Sequence, residues 1–181
     1  MKFIVIAVLI IISHSAGYSY AEDSKPIDWN KIETQSYSAL KDSPENFTEA
    51  EIQQALGNML SDKDQWQRAV IHYKKAVKLD PTLFNSWYNL GLIYIDKEEG
   101  NEYFKQAIKA NPNYPPPYYW LAYNYCKAKK DKEAIPMFEK YIKIAIKSGD
   151  TGESDVVDSA IELLNELKSG KEGNGLKIIR E

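Results

Sequence analysis

The chain has 181 residues with 23 basic and 26 acidic side chains, a formal net charge of −3. That length allows one domain with a genuine core, while the mildly acidic balance, with no basic block, lacks the clustered Lys and Arg that neutralise phosphates and so excludes nucleic acid as an expected partner. A single cysteine, Cys126, rules out an internal disulfide, so stability must come from packing.

Taken in chain order, residues 1–21 read as an export signal peptide. Lys2 supplies the positive start, Phe3 to Ile12 is unbroken apolar sequence, and Ser19 and Ala21 are small residues at the −3 and −1 positions of a cut before Glu22. Ten apolar residues rise only about 15 Å as a helix, roughly half of a hydrocarbon core. The segment therefore fits a cleaved signal rather than an anchor, and no integral membrane segment is expected after cleavage. An exported protein, periplasmic or secreted from a bacterial source, is the expectation.

Residues 22–47 are polar and irregular, a linker in which Trp29, Ile32 and Leu40 allow a short helix packed on its C-terminal neighbour. Thr48 and Glu51 form the T-x-x-E capping box that starts a helix. The Asn46-Phe47-Thr48 triplet is formally a glycosylation sequon, and in a bacterial chain it is only this cap.

From residue 50 onward one pattern recurs. The first pass reads Leu56, Gly57, Leu60, Ala69, Tyr73, Ala76 and then Leu79-Asp80-Pro81; the second reads Trp87, Leu90, Gly91, Tyr94, Gly100, Phe104, Ala107 and then Asn111-Pro112. The third gives Tyr118, Leu121, Ala122, Tyr125, Ala134, Phe138 and Tyr141. Small residues let two helices approach, large ones fill the space between hairpins, and proline ends the second helix because it has no N–H to continue it.

This order resembles the tetratricopeptide repeat (TPR), in which W-x₂-L-G-x₂-Y is followed by A, F, A and P over about 34 residues. On that register the repeats are residues 50–83, 84–114 and 115–148, within a domain spanning 48–168. The resemblance implies an all-α fold, a right-handed superhelical stack of helix-turn-helix hairpins forming an α-solenoid. Three departures from the pattern carry expectations. The second repeat is three residues short, which predicts a tight turn at Asp96 to Gly100. Pro136 should kink the last repeat helix or delay its start. Tyr141 replaces a small residue, which fits a last repeat packed on something other than a normal neighbour. That neighbour is expected to be a capping helix over 155–168, with Val156, Val157, Ala160, Ile161, Leu164 and Leu167 as its apolar stripe. The tail, 169–181, is expected to be flexible.

Chemistry finds little purchase in these residues. After the signal segment the chain has one histidine, His72, expected on the surface of a repeat helix, and one cysteine, expected to be buried among Leu121, Ala122 and Tyr125. Glu98 and Glu99 read as a solvated hairpin turn. No zinc-protease, paired-cysteine, phosphate-loop or nucleophile-elbow motif is present. The expectation is a protein that is not an enzyme, with no catalytic residue, cofactor or metal.

The resemblance implies that the first helix of each repeat lines a concave groove. Carried over position by position, the peptide-binding candidates are Gln54, Asn58, Asn85, Tyr88, Asn89, Leu92, Tyr119, Trp120 and Tyr123. Asn58 and Asn89 match the asparagines of the family's carboxylate clamp, but Gln54, Pro116 and Trp120 stand where its basic residues belong. A terminal carboxylate would have no ionic partner here. Amide groups suit an extended backbone, and Tyr and Trp rings suit apolar or proline-rich side chains. The other reading of Tyr119, Trp120 and Tyr123 is that they pack against the capping helix or the Pro115 to Pro117 entry. The functional expectation is a cell-envelope adaptor that binds a peptide segment of another protein. The alternative is a structural scaffold that self-associates by stacking its repeat ends.

Overall fold

The computed structural model describes residues 26–148, 154–170, 175, 176 and 179, and the expected signal segment lies outside them. Among the described residues the chain is all-α, with no strand. It divides into two compact units at Pro81, and each is built from its own core.

The first unit holds α1 (Trp29–Lys41), α2 (Glu49–Ser61) and α3 (Trp66–Leu79). Asp28 caps α1, its side chain accepting the Lys31 N–H at 3.1 Å. The capping box of α2 forms as the sequence predicts: Thr48 Oγ1 accepts from Glu51 N, and the Glu51 carboxylate accepts from Thr48 N at 3.0 Å. A short turn closes the α2/α3 hairpin, with Asp64 in the left-handed region at φ 57° and Gln65 N donating back to Leu60 O at 2.8 Å. Leu56, Leu60, Ala69, Tyr73 and Ala76 are almost fully buried between the two helices. Gly57 lies under the Tyr73 ring, where a Cβ would come 2.6 Å from Cε1, so the hairpin needs hydrogen at that position. Leu40 and Ser36 of α1 are buried as well, and Ser36 Oγ lies 3.4 Å from Met59 Sδ of α2.

The second unit holds α4 (Phe84–Ile93), α5 (Glu98–Ala110), α6 (Pro116–Lys127), α7 (Asp131–Ser148) and α8 (Ser154–Ser169). Successive helices pack in sequence order. Phe104 of α5 covers Gly91 of α4 and would collide with any Cβ there. The turn between α4 and α5 falls at residues 94–97, not at the predicted 96–100; Glu98, Glu99 and Gly100 already belong to α5. Two carboxylates in a first helical turn are favoured by the helix dipole, so they extend the helix backward.

Pro136 neither delays nor shortens α7, which runs from Asp131 through the proline. The Lys130 carbonyl accepts from both Glu133 N and Ala134 N, so the first turn is complete before the proline removes one donor. Tyr141 is buried and faces Tyr119, with ring centroids 5.3 Å apart.

The helix α8 docks on α7, but its buried stripe differs from the predicted one. Val157, Ala160, Leu163 and Leu167 are buried, whereas Ile161 is exposed. Two apolar periodicities overlap in this segment, and only contact with α7 selects one of them. The tail also departs from expectation at the described positions. Glu166 accepts the backbone N–H of Gly175 at 3.2 Å and of Leu176 at 2.8 Å, and Leu176 and Ile179 are buried against the α6–α8 core. The apolar pair in Leu-Lys-Ile-Ile anchors these residues instead of leaving them free.

Candidate peptide-binding surface

The second unit carries a run of aromatic rings on α4, α6 and the segment between α5 and α6. Pro116 and Pro117 start α6, a position where proline's fixed φ suits the helix and its missing N–H costs nothing. The next three residues then diverge by steps of about 100° around the helix. Tyr118 turns inward, its hydroxyl donating to Pro112 O at 3.1 Å. Tyr119 lies over the α7 core, 5.9 Å from Phe138 and 5.3 Å from Tyr141 between centroids. Trp120 faces α4, and its Nε1–H donates to the Tyr88 hydroxyl at 3.3 Å.

From that hydrogen bond the rings continue in both directions. Tyr88 meets Tyr114 edge-on at 5.4 Å, and Tyr114 meets Phe84 at 4.8 Å. Trp120 meets Tyr119 at 5.4 Å and Tyr123 at 5.8 Å, both edge-on. Such edge contacts suit the ring quadrupoles. Phe84, Tyr88, Tyr114, Tyr119, Trp120 and Tyr123 are all half-buried.

The wall is electrically neutral. Burial first, and then the neighbouring Tyr88, push the Tyr114 phenol up to about 12. Burial likewise raises Tyr119 and Tyr118, so these phenols keep their protons at neutral pH. Asn124, one turn beyond Trp120, fixes α6 in place: its amide donates to Ile95 O at 3.0 Å and to Asn101 Oδ1 at 2.7 Å. Lys127 pairs with Asp96 at 2.8 Å beside it.

The structure thus joins four of the sequence-derived candidates, Tyr88, Tyr119, Trp120 and Tyr123, into one contact series. Asn85 is exposed, and Asn89 and Leu92 half-buried, on the same α4 helix as Tyr88. Gln54 and Asn58 belong to α2 of the first unit; Asn58 Oδ1 accepts from Tyr73 OH at 2.9 Å, which ties the amide to its own hairpin. Sequence reasoning missed Phe84, Tyr114 and Asn124. The aromatic residue directly before three prolines was the available signal for Tyr114.

His72 is the other correction. It is buried, not on the surface, because α1 covers that side of α3. Gln53 Nε2 donates to Glu49 Oε1 at 2.7 Å, which turns its Oε1 toward His72 Nδ1 at 2.8 Å. Nε2 lies 3.2 Å from Glu33, which also pairs with Arg68. Burial is the main cause holding the imidazole below its usual value, against the opposing pull of Glu33; Lys75 and Arg68 add to the depression. Among the described residues no His, Cys, Asp or Glu cluster has the arrangement of a metal site.

Family models match the repeat-bearing part of the chain. One described as TPR repeat matches residues 57–97, and two described as tetratricopeptide repeat match 84–114 and 118–145. The chain is 23% identical over 95 residues to anaphase-promoting complex subunit 3 of Schizosaccharomyces pombe, which covers 51% of this chain and 14% of that protein. The chain therefore spans a small part of that relative's length. Among solved structures, a crystal structure of MamA protein aligns at 24% identity over 92% of this chain and 85% of that one, with a TM-score of 0.59. PilF of Pseudomonas aeruginosa aligns at 16% identity over 97% and 79%, with a TM-score of 0.55. At these identities the likeness is one of fold, the all-α stack of helical hairpins that the sequence implied.

Proposed function

This chain belongs to the tetratricopeptide-repeat family of interaction modules, and we propose that it acts without catalysis as a cell-envelope adaptor. Its aromatic face on α4 and α6 holds an extended, uncharged or proline-containing segment of another protein. The observation that carries this reading is the Trp120–Tyr88 hydrogen bond, which links rings of two successive repeats into one half-exposed wall. Tyr and Trp offer large contact areas that lose little side-chain freedom, and such anchors dominate many interfaces. Phenols that stay neutral favour apolar and proline side chains over charged ones. The apolar run from Phe3 to Ile12 and the small residues before Glu22 support export.

The test is calorimetric and fluorimetric titration of the purified protein with two extended peptides, one neutral and proline-rich, one ending in acidic residues. Saturable binding of the first is expected, with a change in Trp emission. Replacing either Tyr88 or Trp120 by Ala should weaken it about 30-fold, the equivalent of about 2 kcal/mol for a well-buried anchor. Affinity unchanged in both variants, or tighter binding of the acidic peptide, would remove the proposed site.

A further inference from the structure

The exposed faces of α3 and α8 oppose each other in sign. Helix α3 carries Arg68, Lys74, Lys75 and Lys78 and no acidic residue, within a chain whose net charge is negative. Lys74, Lys75 and Lys78 are exposed, and Ile71 stands among them at 54% exposure. Trp66 and Leu79, at 43% and 54%, flank them on the same helix. A burial-driven fold leaves such side chains outside only where packing gains nothing from them, and here they cluster on one element.

Helix α8 shows the complementary arrangement. Asp155, Asp158 and Glu162 are exposed around Ile161, which is itself 36% exposed. The helix's one lysine, Lys168, is already paired with Glu139 at 2.7 Å, so it does not offset this acidic face. A lysine face alone names no partner. An acidic face of the same helical form, with an isoleucine at its centre, on the same polypeptide, does name one.

We propose that copies of this chain associate head to tail, the outer face of α3 in one copy lying against the outer face of α8 in the next. With the two helices antiparallel, Ile71 meets Ile161, and Lys75 and Lys78, about 6 and 10 Å along α3, face Asp158 and Asp155, about 4.5 and 9 Å along α8. Such a contact uses different patches on the two partners, so it is heterologous and each copy keeps one patch open for another. It differs from stacking through bare repeat ends, because α8, Leu176 and Ile179 already cover the apolar end of α7. It is also independent of the aromatic wall. Two helices of about 21 and 24 Å bury less than the roughly 800 Å² per partner of a standard interface, so the association is weak, concentration-dependent and sensitive to salt.

Sedimentation velocity of the purified protein over a concentration series reads this directly. At an ionic strength near 0.01 M, where the screening length is about 30 Å, the weight-average sedimentation coefficient should rise with concentration. Near 1 M, where it is about 3 Å, the rise should disappear. The variant Lys74→Glu/Lys75→Glu/Lys78→Glu should sediment as a monomer, and so should Asp155→Lys/Asp158→Lys/Glu162→Lys. Mixed in equal amounts, the two should associate again, since each restores the opposite sign to the other. Ile71→Ser changes an exposed side chain and spares the core; it should weaken self-association about threefold with unchanged helicity by circular dichroism. Sedimentation independent of concentration in the parent protein would overturn the proposal. So would a charge-swapped mixture that stays monomeric while both variants are folded, or an association that survives both charge variants.

Discussion

Replacing Gly100 by alanine sets two physical effects against each other and lets the geometry decide the sign. Alanine is the better helix former by about 1 kcal/mol, so propensity alone predicts a gain. A Cβ at this position, however, would overlap the carbonyl oxygen of Tyr94, stand 2.8 Å from its carbon and 3.2 Å from Gly91 O. Those obstacles are backbone and cannot rotate away. The Tyr94 carbonyl also accepts from Lys97 N at 2.9 Å, and Gly100 N donates to Lys97 O at 3.0 Å, so making room opens the α4/α5 turn. Overpacking of this kind costs about 1–3 kcal/mol. With unyielding neighbours the upper end applies, and after the propensity gain the net loss is about 2 kcal/mol. In urea unfolding followed by helical circular dichroism, the midpoint should fall by about 1 M at unchanged slope. Gly57→Ala should be destabilised as well, because its Cβ would stand 2.6 and 2.7 Å from Cε1 and Cδ1 of the buried Tyr73 ring, whose hydroxyl is held by Asn58. A Gly100→Ala protein as stable as the parent would refute the close approach of α5 to the end of α4.

The histidine resonance of His72 should titrate below 6.5, and Glu33→Gln should lower it further by removing the one cause that raises it. As pH falls below 6.5 the unfolded chain takes up the proton first, so the first unit should lose stability until the lower folded value is passed. Tyr114 should resist ionisation until about 12, seen as a late step in phenolate absorbance that vanishes in Tyr114→Phe. Its sign runs the other way: above pH ~10 an unfolded tyrosine gives up its proton while the folded one keeps it, so stability declines as pH rises toward about 12. Asn124→Leu should cost about 1–3 kcal/mol in urea unfolding through the unpaired Ile95 carbonyl, and should weaken peptide binding because α6 is no longer fixed beside α4.

The hairpins are readable in the chain because their packing is local. Gly57 against Tyr73 and Gly91 against Phe104 are contacts between helices joined by one turn, so a recurring small-then-aromatic order carries the information. His72 escapes that logic because the helix that buries it precedes the repeats and follows no repeat rule. Its partners Glu33 and Gln53 come from two different helices, and nothing in the Trp66–Leu79 pattern announces them. The stripe of α8 is ambiguous for a related reason, since Ile161 and Leu163 are equally apolar and the neighbour alone chooses between them. At the candidate site the ring types are legible, while the hydrogen bond that pairs Trp120 with Tyr88 depends on how one repeat meets the next.

That meeting of repeats arises from the short second hairpin. With α4 ending after 10 residues, against 13 in α2, the chain turns at Tyr94–Lys97, and the Ile95 carbonyl lies just past the end of the shortened helix. A buried or half-buried carbonyl needs a donor, and Asn124 of the third repeat supplies one while its amide also engages Asn101 of α5. Lys127 completes the attachment through Asp96 in the same turn. The two grips fall one and two helical turns beyond Trp120, on the same helix, so they set how far the indole stands from Tyr88. The turn that follows the shortened α4 is thus what α6 holds, and the aromatic wall gains its fixed spacing from it. A second repeat restored to full length would displace Ile95 and Asp96 together, and the wall should then lose its Trp120–Tyr88 contact even with every aromatic residue in place.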